Sequence, residues 1–261
     1  MNAEYELWFG TYKNIDMYVE RLLDEPDKYE RVFIADIHVD PELAKEFPDN
    51  FILIDHHASA SNLKGIKNCI IDDSGKVCGA AMCYKYLLKD EGLEYKHLTK
   101  LVAVTNDYDL WFHKLPKNIA KNLNFLFYYY WGEKFVERFQ MGFDAFTDIE
   151  TQFIIEKWKE IKESFKTTTF LDALEDTSIE LKGKFCVIPV TGNKDGEVNE
   201  LCEYALNELH YKVVMFVNSS KRKISIRISS DACEKGLHVG NFNTELKIGG
   251  GHKSARWSII L

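Results

Sequence analysis

Phe51-Ile52-Leu53-Ile54-Asp55-His56-His57 is the stretch that decides the fold. Four consecutive apolar residues, without polar alternation, form the kind of run expected of a strand buried on both faces of a parallel sheet. The run stops at three polar side chains, each able to bind a metal ion. A second run, Val32-Phe33-Ile34-Ala35, ends in the same way at Asp36. In open α/β sheets, ligands bind beyond the carboxyl ends of the strands. Two acidic strand ends therefore mark the rim of an active site.

The rest of the chain fits around these strands. Residues 5–9 read as a strand. Ile15, Val19, Leu22 and Leu23 share one helical face, with Asn14 or Asp16 as the cap. Helical patterns cover residues 77–89 and 98–106, the latter running into Asp107-Tyr108-Asp109-Leu110-Trp111. The aromatic stripe at residues 125–131 reads as helix packing and not as a base-stacking platform. Thr147 and Glu150 have the capping-box spacing and open a long helix to about Lys166. Beyond it the alternation of strand and helix restarts at residues 185–190, 198–209 and 213–217. Lys-Ile-Ser-Ile-Arg-Ile-Ser, residues 223–229, alternates Ile224, Ile226 and Ile228 with Ser225, Arg227 and Ser229, as in a half-buried strand with one polar face. A short helix at residues 239–246 leads to Gly249-Gly250-Gly251-His252 and a last strand at residues 255–261. The expected fold is α/β: a mainly parallel sheet flanked by helices, joined by a long helix to a smaller α/β domain. The expected boundaries are residues 1–146 for the first domain, 147–180 for a helical linker and 181–261 for the second domain.

Composition narrows the partners. A chain of 261 residues with 46% apolar and 28% charged residues is ordinary for a globular protein. Its net charge of -8 works against long duplex nucleic acid but leaves room for a small anionic substrate offset by a local cation. Six cysteines without a Cys-x-x-Cys pair read as buried free thiols of a reducing compartment. No leader pattern and no apolar run of membrane-spanning length is visible, so the expected location is cytoplasmic, away from membranes.

Three groups of residues can carry chemistry. Asp55, His56 and His57 combine carboxylate and imidazole, a set suited to Mn²⁺, Fe²⁺, Zn²⁺ or Co²⁺ over Ca²⁺. Asp107 and Asp109, after a helix, are both candidate ligands. Gly249, Gly250 and Gly251 let the backbone approach an anion closely, with His252 as a donor, and Arg227 offers a bidentate phosphate contact. Each has a plainer counterpart: a hydrogen-bonded histidine pair, a polar helix end, a flexible turn and a solvated arginine.

These pieces, in this order and nearly over the whole chain, resemble the DHH phosphoesterases with a DHHA1 second domain, in the branch of the nano-RNases and RecJ-like exonucleases. The resemblance implies a hydrolase with divalent metals, usually Mn²⁺, in its first domain. Asp36 matches the bridging carboxylate, His56 a metal-bound histidine, and Asp109 the late aspartate, with Asp107 as fallback. Asp55 matches the supporting acid and His57 the histidine facing the metals and the scissile phosphate. Arg227, Gly249, Gly250, Gly251 and His252 match a phosphate and terminal-nucleotide clamp, across a cleft from the metals. The implied substrate is a short oligonucleotide or small nucleotide phosphoester. The family's first motif, of the type His-x-Asp-x-Asp-Gly, is missing: no aspartate precedes Asp16. Relative to the family the first domain is thus expected to be incomplete at its N-terminal side, with fewer than two tightly held ions. Sheet left exposed by the missing strand would be covered either by a homodimer or by residues 5–9 in a rearranged position. Two functions stand open at this stage: a phosphodiesterase, or a non-catalytic nucleotide-binding module of the same fold. A pyrophosphatase fits the second-domain residues less well.

Overall fold

Three parallel strands, Val32–Ala35 (β1), Phe51–Asp55 (β2) and Cys69–Ile71 (β3), stand in the order β1-β2-β3 in the computed structural model. The structure describes residues 4–89, 95–110, 114–115, 118–172, 185–192, 197–234 and 259–260. Val32 pairs with Phe51 and Ala35 with Ile54, so Asp36 and Asp55 leave the sheet side by side. Successive side chains of a strand face opposite ways. Leu53 and Ile54 are both buried, so both faces of β2 are covered, as the unbroken apolar run required. One face is packed by Ile15 and Val19 of helix α1 (Ile15–Leu23), Ala44 of α2 (Pro41–Lys45), and Ala60 and Leu63 of a 3-10 helix, Ala58–Leu63. Helix α3 (Gly79–Cys83) packs against β1 and β2 and runs on as a π-helix, Tyr84–Lys89. Thr99–Asp109 (α4), Ile119–Tyr130 (α5) and Gly132–Phe139 (α6) follow.

Two local expectations are corrected. Residues 5–9 form no strand. They are exposed and pair with no sheet edge among the described residues. Aromatic contacts hold them instead: Trp8 meets Tyr18 edge-on at 5.7 Å, and Phe9 stacks on Trp131 at 5.9 Å. The aromatic stripe is also divided. Phe125 and Leu126 are buried, whereas Tyr128, Tyr129 and Trp131 are exposed at the end of α5.

The chain forms two compact units, Met1–Ala145 and Phe146–Leu261. The second opens on α7 (Asp148–Thr167), whose capping box is complete: the Thr147 N–H donates to Glu150 Oε2 at 2.7 Å and the Glu150 N–H to Thr147 Oγ1 at 3.2 Å. Its sheet has the order β4-β5-β6-β7-β8, built from Leu171–Asp172, Phe185–Val190, Val213–Asn218, Lys223–Ile228 and Ile259–Ile260. Only β5 and β6 are parallel. Helix α8 (Val198–Asn207) packs on β6 and β7. Because of that helix β7 has no solvated face: Ser225 and Arg227 are as buried as Ile226 and Ile228, contrary to the half-buried strand expected from alternation. The helix expected at residues 239–246 lies outside the described residues.

Candidate metal centre

β1 stops at Asp36 because the backbone there turns to φ +63°, which an extended chain cannot follow. Aspartate is one of the few non-glycine residues at home in that region. The Asp36 N–H still donates to Ile54 O at 2.9 Å, which fixes the strand tip beside that of β2. The side chain then leans against the start of α3. A Cβ on Gly79 would lie 2.5 Å from Asp36 Oδ1 and 2.8 Å from its Cβ, so only glycine admits this approach. Cys78 caps the same helix, with Sγ accepting from the Ala81 N–H. Its own N–H donates to Asn106 Oδ1 of α4 at 2.8 Å, which ties α3 to the helix carrying Asp109.

The centre of the arrangement is a nitrogen with two carboxylates. His56 Nε2 lies 2.9 Å from Asp36 Oδ1 and 3.3 Å from Asp109 Oδ2, and its side chain is fully buried. One ring nitrogen carries at most one proton, so two anionic oxygens around it leave negative charge that a cation would offset. Ligand-atom separations of about 3–4 Å are those expected around an ion with bonds of about 2.1 Å. Asp36, His56 and His57 each offer a ligand atom within 4.8 Å of the others. The donor set, imidazole with carboxylates, therefore fits a divalent ion of the Mn²⁺ to Zn²⁺ series. Burial pushes the nearby Cys78 and Cys83 thiols up to about 11, and Cys78 Sγ is engaged as the cap of α3.

Asp55 is the support of this centre. Its carboxylate is fully buried. Oδ1 accepts from the His56 N–H at 2.8 Å, the His57 N–H at 3.2 Å and His57 Nδ1 at 2.6 Å, while Oδ2 faces His38 Nδ1 at 2.8 Å. Burial opposes its ionisation, but the hydrogen bonds from His38 and His57 prevail and hold the carboxyl well below the usual carboxylate range. For His57, burial pulls the pKa down and the bond and charge of Asp55 pull harder the other way. The result lies above the ordinary histidine value, with Asp36 and Asp109 adding to it. His57 Nδ1 is taken by Asp55, which leaves Nε2 for a ligand or substrate.

The two aspartates of α4 have separate fates. Asp109 reaches His56. Asp107 is buried and accepts the backbone N–H groups of Lys114 at 2.8 Å and Leu115 at 3.4 Å, a structural role in the turn after α4. In the second unit, Arg227 is buried, with NH1 donating to Ile226 O and NH2 to Asn199 Oδ1, both at 2.9 Å. Gly249, Gly250, Gly251 and His252 lie outside the described residues.

No protein-family model and no curated protein matches the sequence. Solved structures do. RecJ of Thermus thermophilus in complex with Mn²⁺ is 14% identical, covering 93% of this chain and 44% of that one, with a TM-score of 0.48. An uncharacterised protein from Helicobacter pylori G27 is 14% identical over 98% of this chain and 85% of that one, with a TM-score of 0.37. A pGpG-specific phosphodiesterase from Vibrio cholerae is 13% identical over 94% and 90%, with a TM-score of 0.30. This chain thus spans less than half of the RecJ chain. Likenesses this distant say nothing about chemistry, and the centre rests on its own distances.

Three residues of the centre were not foreseen. His38 had a signal only in its closeness: it is a further imidazole two residues beyond Asp36. Gly79 and Asn106 had none, because a single glycine or asparagine in a helical pattern gives no sign of a distant partner.

Proposed function

We propose that this chain is a divalent-metal-dependent phosphodiesterase of the DHH type, acting on short oligonucleotides or small nucleotide phosphoesters. The observation that carries the reading is His56 Nε2 standing between the carboxylates of Asp36 and Asp109, at 2.9 and 3.3 Å. These three residues would hold the ion. Once bound, a divalent ion at such a site supplies a Lewis acid for a phosphoryl oxygen and lowers the pKa of a water molecule. The protein's own contribution is arrangement. Asp55 holds the His57 ring through Nδ1, so that Nε2 can donate to a phosphoryl oxygen or to a leaving alkoxide. The half-exposed Asp36 carboxylate, 54% accessible, is the side from which a substrate reaches the centre. Arg227, Gly249, Gly250, Gly251 and His252 are proposed to grip phosphate, the guanidinium exchanging its Asn199 partner for phosphoryl oxygens. The net charge of -8 favours a short substrate over a long polyanion.

The test is hydrolysis of a labelled di- or trinucleotide by the purified chain with Mn²⁺. Turnover is expected, is abolished by a chelator, and is lost in His57→Ala. Tight nucleotide binding without turnover would replace this reading with the non-catalytic module. Neither binding nor turnover would remove the substrate assignment altogether.

A further inference from the structure

His38 belongs to neither the ion nor the substrate in the reading above, yet it contacts the group on which that reading depends. The two oxygens of Asp55 are not equivalent. Oδ1 receives two backbone N–H groups, from His56 and His57, which are obligate donors. It is therefore an acceptor, and His57 Nδ1, 2.6 Å away, must be the donor. Among the described residues, Oδ2 is met by His38 Nδ1 alone, at 2.8 Å. A fully buried carboxylate oxygen without a donor is costly. His38 Nδ1 therefore carries its proton towards Oδ2. Tyr12 stands on the far side of this bond. Its ring lies tilted against that of His38, with centroids 4.9 Å apart, and its hydroxyl oxygen is 3.3 Å from the same Nδ1. At 3.3 Å against 2.8 Å, Tyr12 is the weaker partner and Asp55 directs the proton. Beyond Tyr12 and His38 a cavity of about 250 Å³ opens, which sets the His38 ring as a wall between that space and the buried carboxylate.

We infer that His38 is a positioning residue, which fixes the ring of His57 by holding the second oxygen of Asp55. The terminal torsion of an aspartate side chain is broad and roughly two-fold, so one pinned oxygen does not define the carboxylate plane. Two pinned oxygens do. Without His38 the carboxylate turns to divide the three remaining donors between its oxygens, and His57 follows the oxygen it is bonded to. The ring then samples both tautomers and more than one orientation, and the nitrogen facing the reaction is no longer held in one state. His38 sits two residues after Asp36 on one strand tip and Asp55 ends the neighbouring strand, so the pairing of β1 with β2 itself delivers the bond.

The inference rests on the phosphodiesterase reading for its kinetic part only. The test uses the full chain and the variants His38→Leu, His38→Asn and His38→Gln. The Asn amide nitrogen reaches the place of Nδ1; the Gln amide extends past it. In the metal-free protein, ¹⁵N NMR of the histidine rings, with His57 assigned from His57→Gln, reads the tautomer directly. At a pH where the ring is neutral, the expected result is a single Nδ1–H tautomer for His57 in the parent and in His38→Asn, and a mixture in His38→Leu and His38→Gln. With Mn²⁺ and a short oligonucleotide, kcat falls on the order of tenfold to 100-fold in His38→Leu and His38→Gln with KM nearly unchanged, and recovers in His38→Asn. A purely structural role would lower the melting temperature in all three variants and leave the His57 tautomer as in the parent. That result, or an unaltered kcat in His38→Leu, overturns the inference. Should His38→Leu fail to fold, the contrast between His38→Gln and His38→Asn decides. A parent chain without turnover would defeat the phosphodiesterase reading, and the tautomer comparison would then decide the role of His38.

Discussion

The tip of β2 and the middle of β7 both bury a charged side chain, and they answer the charge differently. Asp55 is surrounded by two imidazoles and two backbone N–H groups, and the residues attached to those donors converge with Asp36 and Asp109. Arg227 is met by a neutral amide, Asn199, and by the carbonyl of the residue before it. Burial alone does not separate the two regions. The hydrogen bonds differ in kind: ionisable imidazoles around the Asp55 carboxylate assemble an environment that a ligand can enter, while the bonds to Asn199 Oδ1 and Ile226 O tie the Arg227 guanidinium to α8 and to its own strand. The same contrast recurs within a single turn of α4, where Asp109 faces His56 and Asp107, among the described residues, accepts from the backbone of its own connection.

The largest expected effect breaks the comparison at β2. His56→Ala or Asp109→Asn should weaken Mn²⁺ binding by more than about 100-fold, whereas Asp107→Asn leaves it unchanged and instead costs about 1–3 kcal/mol of stability. Isothermal titration with Mn²⁺ beside denaturant unfolding measures both, and equal metal loss in Asp107→Asn would refute the division. Gly79→Ala comes next. Its methyl group enters the space of the Asp36 carboxylate, so Mn²⁺ affinity should drop roughly tenfold to 100-fold. Retained affinity would mean that the Asp36 side chain has another position available. Arg227→Met should destabilise the second unit by about 1–3 kcal/mol, by leaving the Asn199 amide unanswered, with no change in Mn²⁺ affinity. If the guanidinium also grips phosphate, nucleotide affinity falls in the same variant.

The smallest effect is in the acid response. The folded-state pKa of Asp55 is depressed, so its stabilising contribution is complete above the ordinary aspartate pKa of about 3.9 and declines as pH falls below it. The difference in melting temperature between the parent chain and Asp55→Asn should therefore narrow between about pH 4 and pH 2. A difference that stays constant over that window would mean that Asp55 is not the group titrating there.

Much of the first sheet was legible because unbroken apolar runs have few alternatives. Phe51 to Ile54 could hardly be other than a buried strand, whereas Val32 to Ala35 is a strand buried at Ile34 but open at Phe33 and Ala35, because β1 is the edge of its described sheet; the polar ends of both fell where ligands are met. The capping box of α7 was legible for the same reason: Thr147 and Glu150 satisfy each other without distant help. Reading failed where the outcome depended on a partner far along the chain. Arg227 alternates with isoleucines as a solvated residue would, and only the helix laid over β7 makes that face an interior. Tyr5, Leu7 and Phe9 alternate like a strand, but Phe9 stacks on Trp131 while Tyr5 and Leu7 are exposed. At the metal centre the ligands were visible as a local cluster, while Gly79, Asn106 and His38 act through contacts that spacing does not record.

The left-handed backbone at Asp36 limits which sequences this centre can be reached from. At φ +63° the fold alone accepts glycine and asparagine as readily as aspartate, and rejects valine, isoleucine and threonine. A saturation library at position 36 sorted for folding should thus be enriched in glycine, asparagine and aspartate and depleted in β-branched residues. The same library sorted for Mn²⁺ uptake should retain one, which separates architecture from chemistry at a single codon.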